Sequence, residues 1–216
     1  MIEFIIKLLD KWFKLREPHR SFLSRALPER LNAAYCLGGM AFTAFLLSLI
    51  TGLLLSIYYV PSGKDAYPSI VMLNNGVWLG WLIRSIHKWS ANFLIIFVLL
   101  HAVRVFVHKA DRPPREMNWM VGAVGFVLIM VSGFTGYLLP WDQKAYWATE
   151  VGTDMAKTVP VAGGFCLRLL RGGPEVSGAT LVRFYSLHTL WAPFMLIMIF
   201  WAHFHMVKRQ GISGGF

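Results

Sequence analysis

Three stretches of this 216-residue chain contain no lysine, arginine, aspartate or glutamate: 31–63, 117–141 and 184–207. A helix crosses a bilayer with about 20 mostly apolar residues, so each stretch suffices. A fourth candidate has an uncharged centre at 89–103, and Arg84, Lys88 and Arg104 at its margins can extend their charged ends toward the headgroups. Hydrophobic residues make up 56% of the chain, too many for an ordinary soluble domain. The expected fold class is an all-α membrane protein: a four-transmembrane-helix bundle with spans at about 34–60, 83–107, 118–139 and 182–206.

Four spans put both termini on one side, and the basic residues say which. Lys7, Lys11, Lys14, Arg16, Arg20, Arg25 and Arg30 crowd the N-terminal arm. Arg104, Lys109, Arg112 and Arg115 follow the second span, and Lys208 and Arg209 follow the fourth. The loop after the first span offers only Lys64 with Asp65, and the long loop after the third is nearly balanced. The positive-inside rule places both termini of this multi-pass protein in the cytoplasm or its equivalent. The net charge of +10 follows from this bias and calls for no nucleic acid. Residues 1–30 form a separate arm before a helical domain at 31–216. Its start, "MIEFIIKLLDKWFKL", sets Ile2, Ile5, Ile6, Leu9, Trp12 and Phe13 on one face, the pattern of a surface helix. The apolar part is too short and too charged for a secretory signal.

Four histidines lie inside or at the ends of apolar runs: His87 and His101 in the second span, His188 and His203 in the fourth. Fourteen helical residues rise about 21 Å and return to within about 40° of the starting direction. His87 and His101 therefore share a face at opposite ends of the hydrocarbon. His188 and His203, one residue further apart, are offset by about 60° the other way. Both spans run outward to inward, so His87 faces His188 near the outer side and His101 faces His203 near the inner. Such pairs suit two stacked haems, each taking one axial ligand from each helix. Helix-bridging hydrogen bonds or a proton path remain the alternative for any single histidine.

Glycines repeat the spacing. Gly38 and Gly52 are 14 apart on the first span, and Gly122 and Gly136 are 14 apart on the third. A flat macrocycle packs closely where no side chain projects, although small residues also serve plain helix packing. Arg84 and Lys88 beside the outer pair, and Arg104 and Lys208 beside the inner, are candidate partners for haem propionates. Positive-inside bias accounts equally well for the inner two. Cys36 and Cys166 fall on opposite sides of the membrane, which makes a disulfide implausible. No CxxCH motif is present.

The stretches "YCLGGM", "TGLLLSIYYVP", "RSIHKWSANF", "LLHAVRVF", "PPREMNW", "GFTGYLLPWDQKAYWA", "RFYSLHT" and "HFHMVKRQGISG" resemble the cytochrome b6 family, the N-terminal four-helix half of the cytochrome b of bc and b6f complexes. Fourteen residues separate His188 from His203, as in the b6 form and one more than in mitochondrial-type cytochrome b. The resemblance implies that His87 and His188 hold a low-potential outer haem b, and His101 and His203 a high-potential inner one. It implies a third haem, a haem c bound to Cys36 by a single thioether; a small buried thiol is the alternative. Cys166 carries no such motif.

It further implies quinol oxidation outside, quinone reduction near Cys36, and a resulting proton gradient. Pro140 ends the third span, and a short surface helix follows within 138–152. Tyr137, Tyr146, Trp147 and Val151 would line a wall of the quinol pocket, unless they serve only as an interfacial belt. The proline–glutamate–tryptophan–tyrosine motif that completes this pocket is not in the sequence. The expected partners are a subunit IV-like membrane subunit, a Rieske iron–sulfur protein, a c-type cytochrome and lipid, in a dimeric complex, and the chain alone should not turn over. Lys88, His205 and the N-terminal arm depart from the plant and cyanobacterial pattern and favour a bacterial cell membrane over a thylakoid-type membrane. Two rivals remain: a dihaem membrane anchor of a hydrogenase or dehydrogenase, and a scaffold whose histidines only bridge helices.

Overall fold

The computed structural model describes residues 33–211. The surface arm expected at 1–30 lies outside the described residues. A 3-10 turn, Ala33–Cys36, leads into α1 (Leu37–Ser56). Then come α2 (Ala66–Gly76), α3 (Gly80–Val107), α4 (Glu116–Leu138), α5 (Gln143–Asp154) and α6 (Gly163–Arg171). The helix α7 (Gly178–Ser186) passes through a π turn (Leu187–Trp191) into α8 (Ala192–Gln210). Four stretches are long and apolar enough to cross a membrane: Ala33–Ser56, Gly80–Val107, Glu116–Leu138 and Gly178–Gln210.

The first span packs on the second and the third on the fourth. Where the two pairs meet at mid-depth, Ala41, Ala44, Phe45, Leu94, Ile129 and Leu196 form the buried core. Edge-to-face contacts of Phe200 with Phe45 at 4.8 Å and of Phe204 with Phe42 at 4.9 Å tie α1 to α8. Ser48 and Ser90 hydrogen-bond across α1 and α3 at 2.8 Å. Ile50, Leu53 and Trp201 point outward and stay exposed, as a bundle surrounded by hydrocarbon requires.

The expected first span runs four residues too far. The helix stops at Ser56, and the Tyr58 and Tyr59 N–H groups close a turn on the Leu55 carbonyl. Tyr59 then donates to the Leu139 carbonyl just past the end of α4, at 2.6 Å. Burial, reinforced by the stacked Tyr185 phenol, holds the Tyr59 hydroxyl well above its ordinary pKa, so it remains a donor. The fourth span extends beyond 182–206 at both ends. Its start is fixed by a reciprocal capping box between Ser177 and Thr180.

The expected surface helix after Pro140 is present as α5. Asp142 caps it by accepting the Ala145 N–H at 2.8 Å. Arg171, 2% exposed, holds this outer layer together. It donates to Thr153 Oγ1 at 2.7 Å and pairs with Glu150 at 3.3 Å and Asp154 at 3.1 Å.

Candidate functional site

The ring centres of His87 and His188 lie 6.2 Å apart, and those of His101 and His203 6.4 Å apart. In both pairs the rings are inclined at 83°. A metal–imidazole bond is about 2.0 Å, and a ring nitrogen sits about 1.1 Å from its ring centre, so two imidazoles on opposite sides of one metal have centres about 6.2 Å apart. Both pairs match that spacing. Among the described residues no three histidines, cysteines or carboxylates converge to hold an ion by themselves. Two imidazoles alone leave most of a metal's coordination sphere open, and a planar macrocycle supplying the equatorial positions fits this donor set.

At the outer level Nδ1 of each ring is committed to a neighbouring helix. His87 Nδ1 meets the Ser48 carbonyl at 3.0 Å and Thr51 Oγ1 at 3.1 Å. His188 Nδ1 meets the Ser132 carbonyl at 3.0 Å and Thr135 Oγ1 at 3.3 Å. A backbone carbonyl accepts only from N–H, so the proton resides on Nδ1 and the Nε2 lone pair is left for a metal. At the inner level Nδ1 of His101 and of His203 has no hydrogen-bond partner among the described residues, the Asn118 carbonyl being the backbone acceptor that approaches His203. The sequence carried a signal for this difference. Thr–Gly recurs at 51–52 and 135–136, whereas Gly38 and Gly122 follow Leu37 and Val121.

Each of the four spaced glycines backs one imidazole. A Cβ at Gly38 would sit 3.2 Å from His101 Cε1, at Gly52 3.1 Å from His87 Cε1, and at Gly122 3.3 Å from His203 Cε1. At Gly136 it would lie 2.5 Å from His188 Cε1. These contacts account for the glycines through the rings themselves, whether or not a macrocycle edge also touches them.

A regular helix would set His188 and His203 in a phase unlike that of His87 and His101, and the π turn removes the difference. A π turn accommodates one extra residue in a helix. Fifteen residues containing it advance in phase like 14, turning the offset of about +60° into about −40°, the value for the other pair. Pro193 offers no N–H to the Thr189 carbonyl four residues back, so the regular ladder is already broken here. Thr189 Oγ1 donates to the Tyr185 carbonyl at 2.8 Å within the same segment.

Arg84 is half-buried and Lys88 exposed, on either side of His87. Arg104 lies one turn inward of His101, its guanidinium 3.9 Å above the centre of the Tyr35 ring. Both Arg104 and Lys208 engage other groups. Cys36 is an exposed free thiol at the inner end of α1, and Cys166 is a free, half-buried thiol on α6 at the other end of the bundle. Tyr137, Trp147 and Val151 are exposed and Tyr146 half-buried, around the junction of α4 and α5.

A membrane bundle with paired imidazoles at two depths fits axially ligated macrocycles, and comparison with known proteins specifies the family. Residues 22–211 match the family described as cytochrome b/b6/petB. Cytochrome b6 of Synechococcus elongatus is 44% identical over 88% of this chain and 89% of its own length. Cytochrome b6 of Rippkaea orientalis is 40% identical over 97% and 95%. A chain of a hyperthermophilic respiratory complex III superposes with a TM-score of 0.86 at 30% identity, covering 97% of this chain. This chain spans 56% of that one's length. The chain belongs to the cytochrome b/b6 family, that of the cytochrome b subunits of bc- and b6f-type electron-transport complexes. Membership implies haem b.

Proposed function

We propose that this chain carries electrons across a membrane between the quinone sites of a quinol-oxidising complex. The observation that carries the reading is the pair of imidazole couples, 6.2 and 6.4 Å between ring centres, set about 21 Å apart in depth by the 14 residues between His87 and His101. His87 and His188 hold an outer haem b, and His101 and His203 an inner one. When bound, each haem supplies a one-electron carrier whose potential depends on ligation, burial and nearby charge.

The chain's own contribution is positional. Ser48, Thr51, Ser132 and Thr135 fix the tautomer and ring plane of the outer ligands. Gly38, Gly52, Gly122 and Gly136 give the rings room. The core around Phe45 and Leu196 keeps water out of the space between the levels. Arg84 and Lys88 outside, and Arg104 and Lys208 inside, are placed to balance carboxylates of the cofactors.

Cys36 holds a third haem as a haem c, its S–H adding across a vinyl group so that one C–S and one C–H bond form without an oxidant. Its exposure supports this role. Quinone is reduced beside it, and quinol is oxidised at the outer side against a wall of Tyr137, Tyr146, Trp147 and Val151. A second membrane subunit of the subunit IV type completes that pocket. A Rieske protein and a c-type cytochrome take the other electron, in a dimeric complex embedded in lipid. The arm at 1–30 and the helical domain at 31–216 are its two parts, and the bacterial cell membrane is its place.

The test is a reduced-minus-oxidised spectrum of the purified complex, with a peroxidase-stained denaturing gel. Two b haems and stain travelling with the polypeptide are expected, the stain being lost in Cys36→Ser. His101→Ala or His203→Ala should remove the inner b haem alone. Full haem content and unaltered absorbance in those variants would overturn the reading, while b bands without stain would point to a dihaem anchor.

A further inference from the structure

Among the described residues, buried side-chain polar atoms without a partner gather at the inner end of the bundle. Besides Nδ1 of His101 and His203 they include Asn118 Oδ1, Gln210 Oε1 and the Tyr35 hydroxyl. Tyr35 is the informative one, because its ring is held from two sides. Arg104 lies over its face at 3.9 Å, and the His108 ring meets it edge-on at 5.9 Å between centres. His108 is itself fixed, donating Nδ1–H to the Arg104 carbonyl at 3.0 Å. The three groups lock one another, so the direction of the phenolic oxygen is set by packing and not by a bond of its own. A buried hydroxyl in a settled position with no acceptor among the described residues implies an acceptor that belongs there.

The position says what kind of acceptor. Tyr35 precedes Gly38 by three residues, and Gly38 backs the His101 ring. Arg104 follows His101 by three residues on α3. Tyr35 and Arg104 therefore stand together about one helical turn inward of the inner imidazole pair. A neutral phenol O–H beside a fixed guanidinium is an arrangement for an anionic oxygen: the cation supplies charge and the hydroxyl supplies direction. The chemical class is a carboxylate.

We propose that Tyr35 is a cofactor-binding residue whose hydroxyl donates a hydrogen bond to a propionate carboxylate of the inner haem, with Arg104 as the counter-cation. This rests on the reading that His101 and His203 hold that haem. The hydroxyl withdraws negative charge from the carboxylate, and less negative charge near the iron favours the reduced state. The donor therefore raises the potential of the inner haem and leaves the outer one, most of the membrane away, untouched.

The experiment is Tyr35→Phe in the intact complex, which removes one oxygen and keeps the ring under Arg104. The readouts are haem content, a potentiometric titration resolving both b haems, and the redox-difference infrared bands of the propionates. The expected result is full haem content, a lower inner potential, an unmoved outer potential and a shifted propionate carboxylate band. Tyr35→Trp, which restores an N–H donor on an aromatic ring, should bring the inner potential back toward its starting value. Two resolved b haems with the inner potential and carboxylate bands unchanged in Tyr35→Phe would overturn this proposal and leave the haem assignment standing. A shift that Tyr35→Trp does not reverse would also overturn it, since general disturbance would then be the cause. Absence of b haem from the unaltered complex would overturn both readings.

Discussion

Gly136→Ala is the sharpest test of the claim that glycine is required by the ligand rings. The added methyl would sit 2.5 Å from His188 Cε1 and 3.1 Å from both ring nitrogens. Carbon atoms in contact settle at about 3.5 Å or more, so the imidazole must retreat by about 1 Å. It cannot do so freely, because Nδ1 is tied to the Ser132 carbonyl at 3.0 Å. Overpacking a fitted site costs about 1–3 kcal/mol, and loss of the Nδ1 bond adds about 1 kcal/mol. Replacing glycine by alanine in a helix returns up to about 1 kcal/mol. The net cost to the outer site is about 1–3 kcal/mol, or roughly 10- to 100-fold in haem affinity. Gly122→Ala is the control, because its methyl would lie 3.3 Å from His203 Cε1 and needs a shift of only tenths of an ångström. Haem content and resolved b-band spectra of the two complexes measure the difference. Gly136→Ala should lose or distort the outer haem first, and Gly122→Ala should keep both. Equal damage in the two variants, or an unaltered outer spectrum in Gly136→Ala, would refute the steric reasoning.

Removing the Tyr59 hydroxyl with Tyr59→Phe strands the Leu139 carbonyl, now accepting at 2.6 Å, and should lower thermal stability by about 1–2 kcal/mol, read as a lower denaturation midpoint. Arg171→Met leaves Glu150 and Asp154 without their shared buried cation, and should cost about 3 kcal/mol and expose the 143–177 segment to limited proteolysis. The hydrogen bond from Lys157, aided by the charge of Arg171, holds the Asp154 carboxyl below its ordinary pKa of 3.8. A depressed folded-state pKa gives stability that is fully present above the unfolded value and is lost as pH falls through the folded one. Protease resistance of the outer layer should therefore be level above about pH 5 and decline with further acidification, and Asp154→Asn should flatten that decline.

Much of the site was legible in the chain because a membrane reduces the choices. Uncharged length gave the number of spans, and the 14-residue spacing gave two depths. The second and third spans came within a few residues of their observed bounds, since charges at 84, 104, 116 and 142 bracket them. The end of the first span did not, because an apolar run such as "SIYYV" continues past the point where Tyr59 turns the chain toward Leu139. The helix at Ala66–Gly76 carries no comparable signal, being short and confined to a loop.

What sequence alone determined is what depends on residue type and count along one helix: which histidines lie at which depth, and on which spans. Only the tertiary structure decided how those helices are phased against one another. Periodicity holds only while a helix is regular, and the π turn before Pro193 resets the angle of His188 in a way no uniform 3.6-residue repeat can express. The purpose of the glycines, the Thr51 and Thr135 contacts and the fixed Tyr35 hydroxyl are likewise meetings between different helices, set by packing distances of a few ångströms.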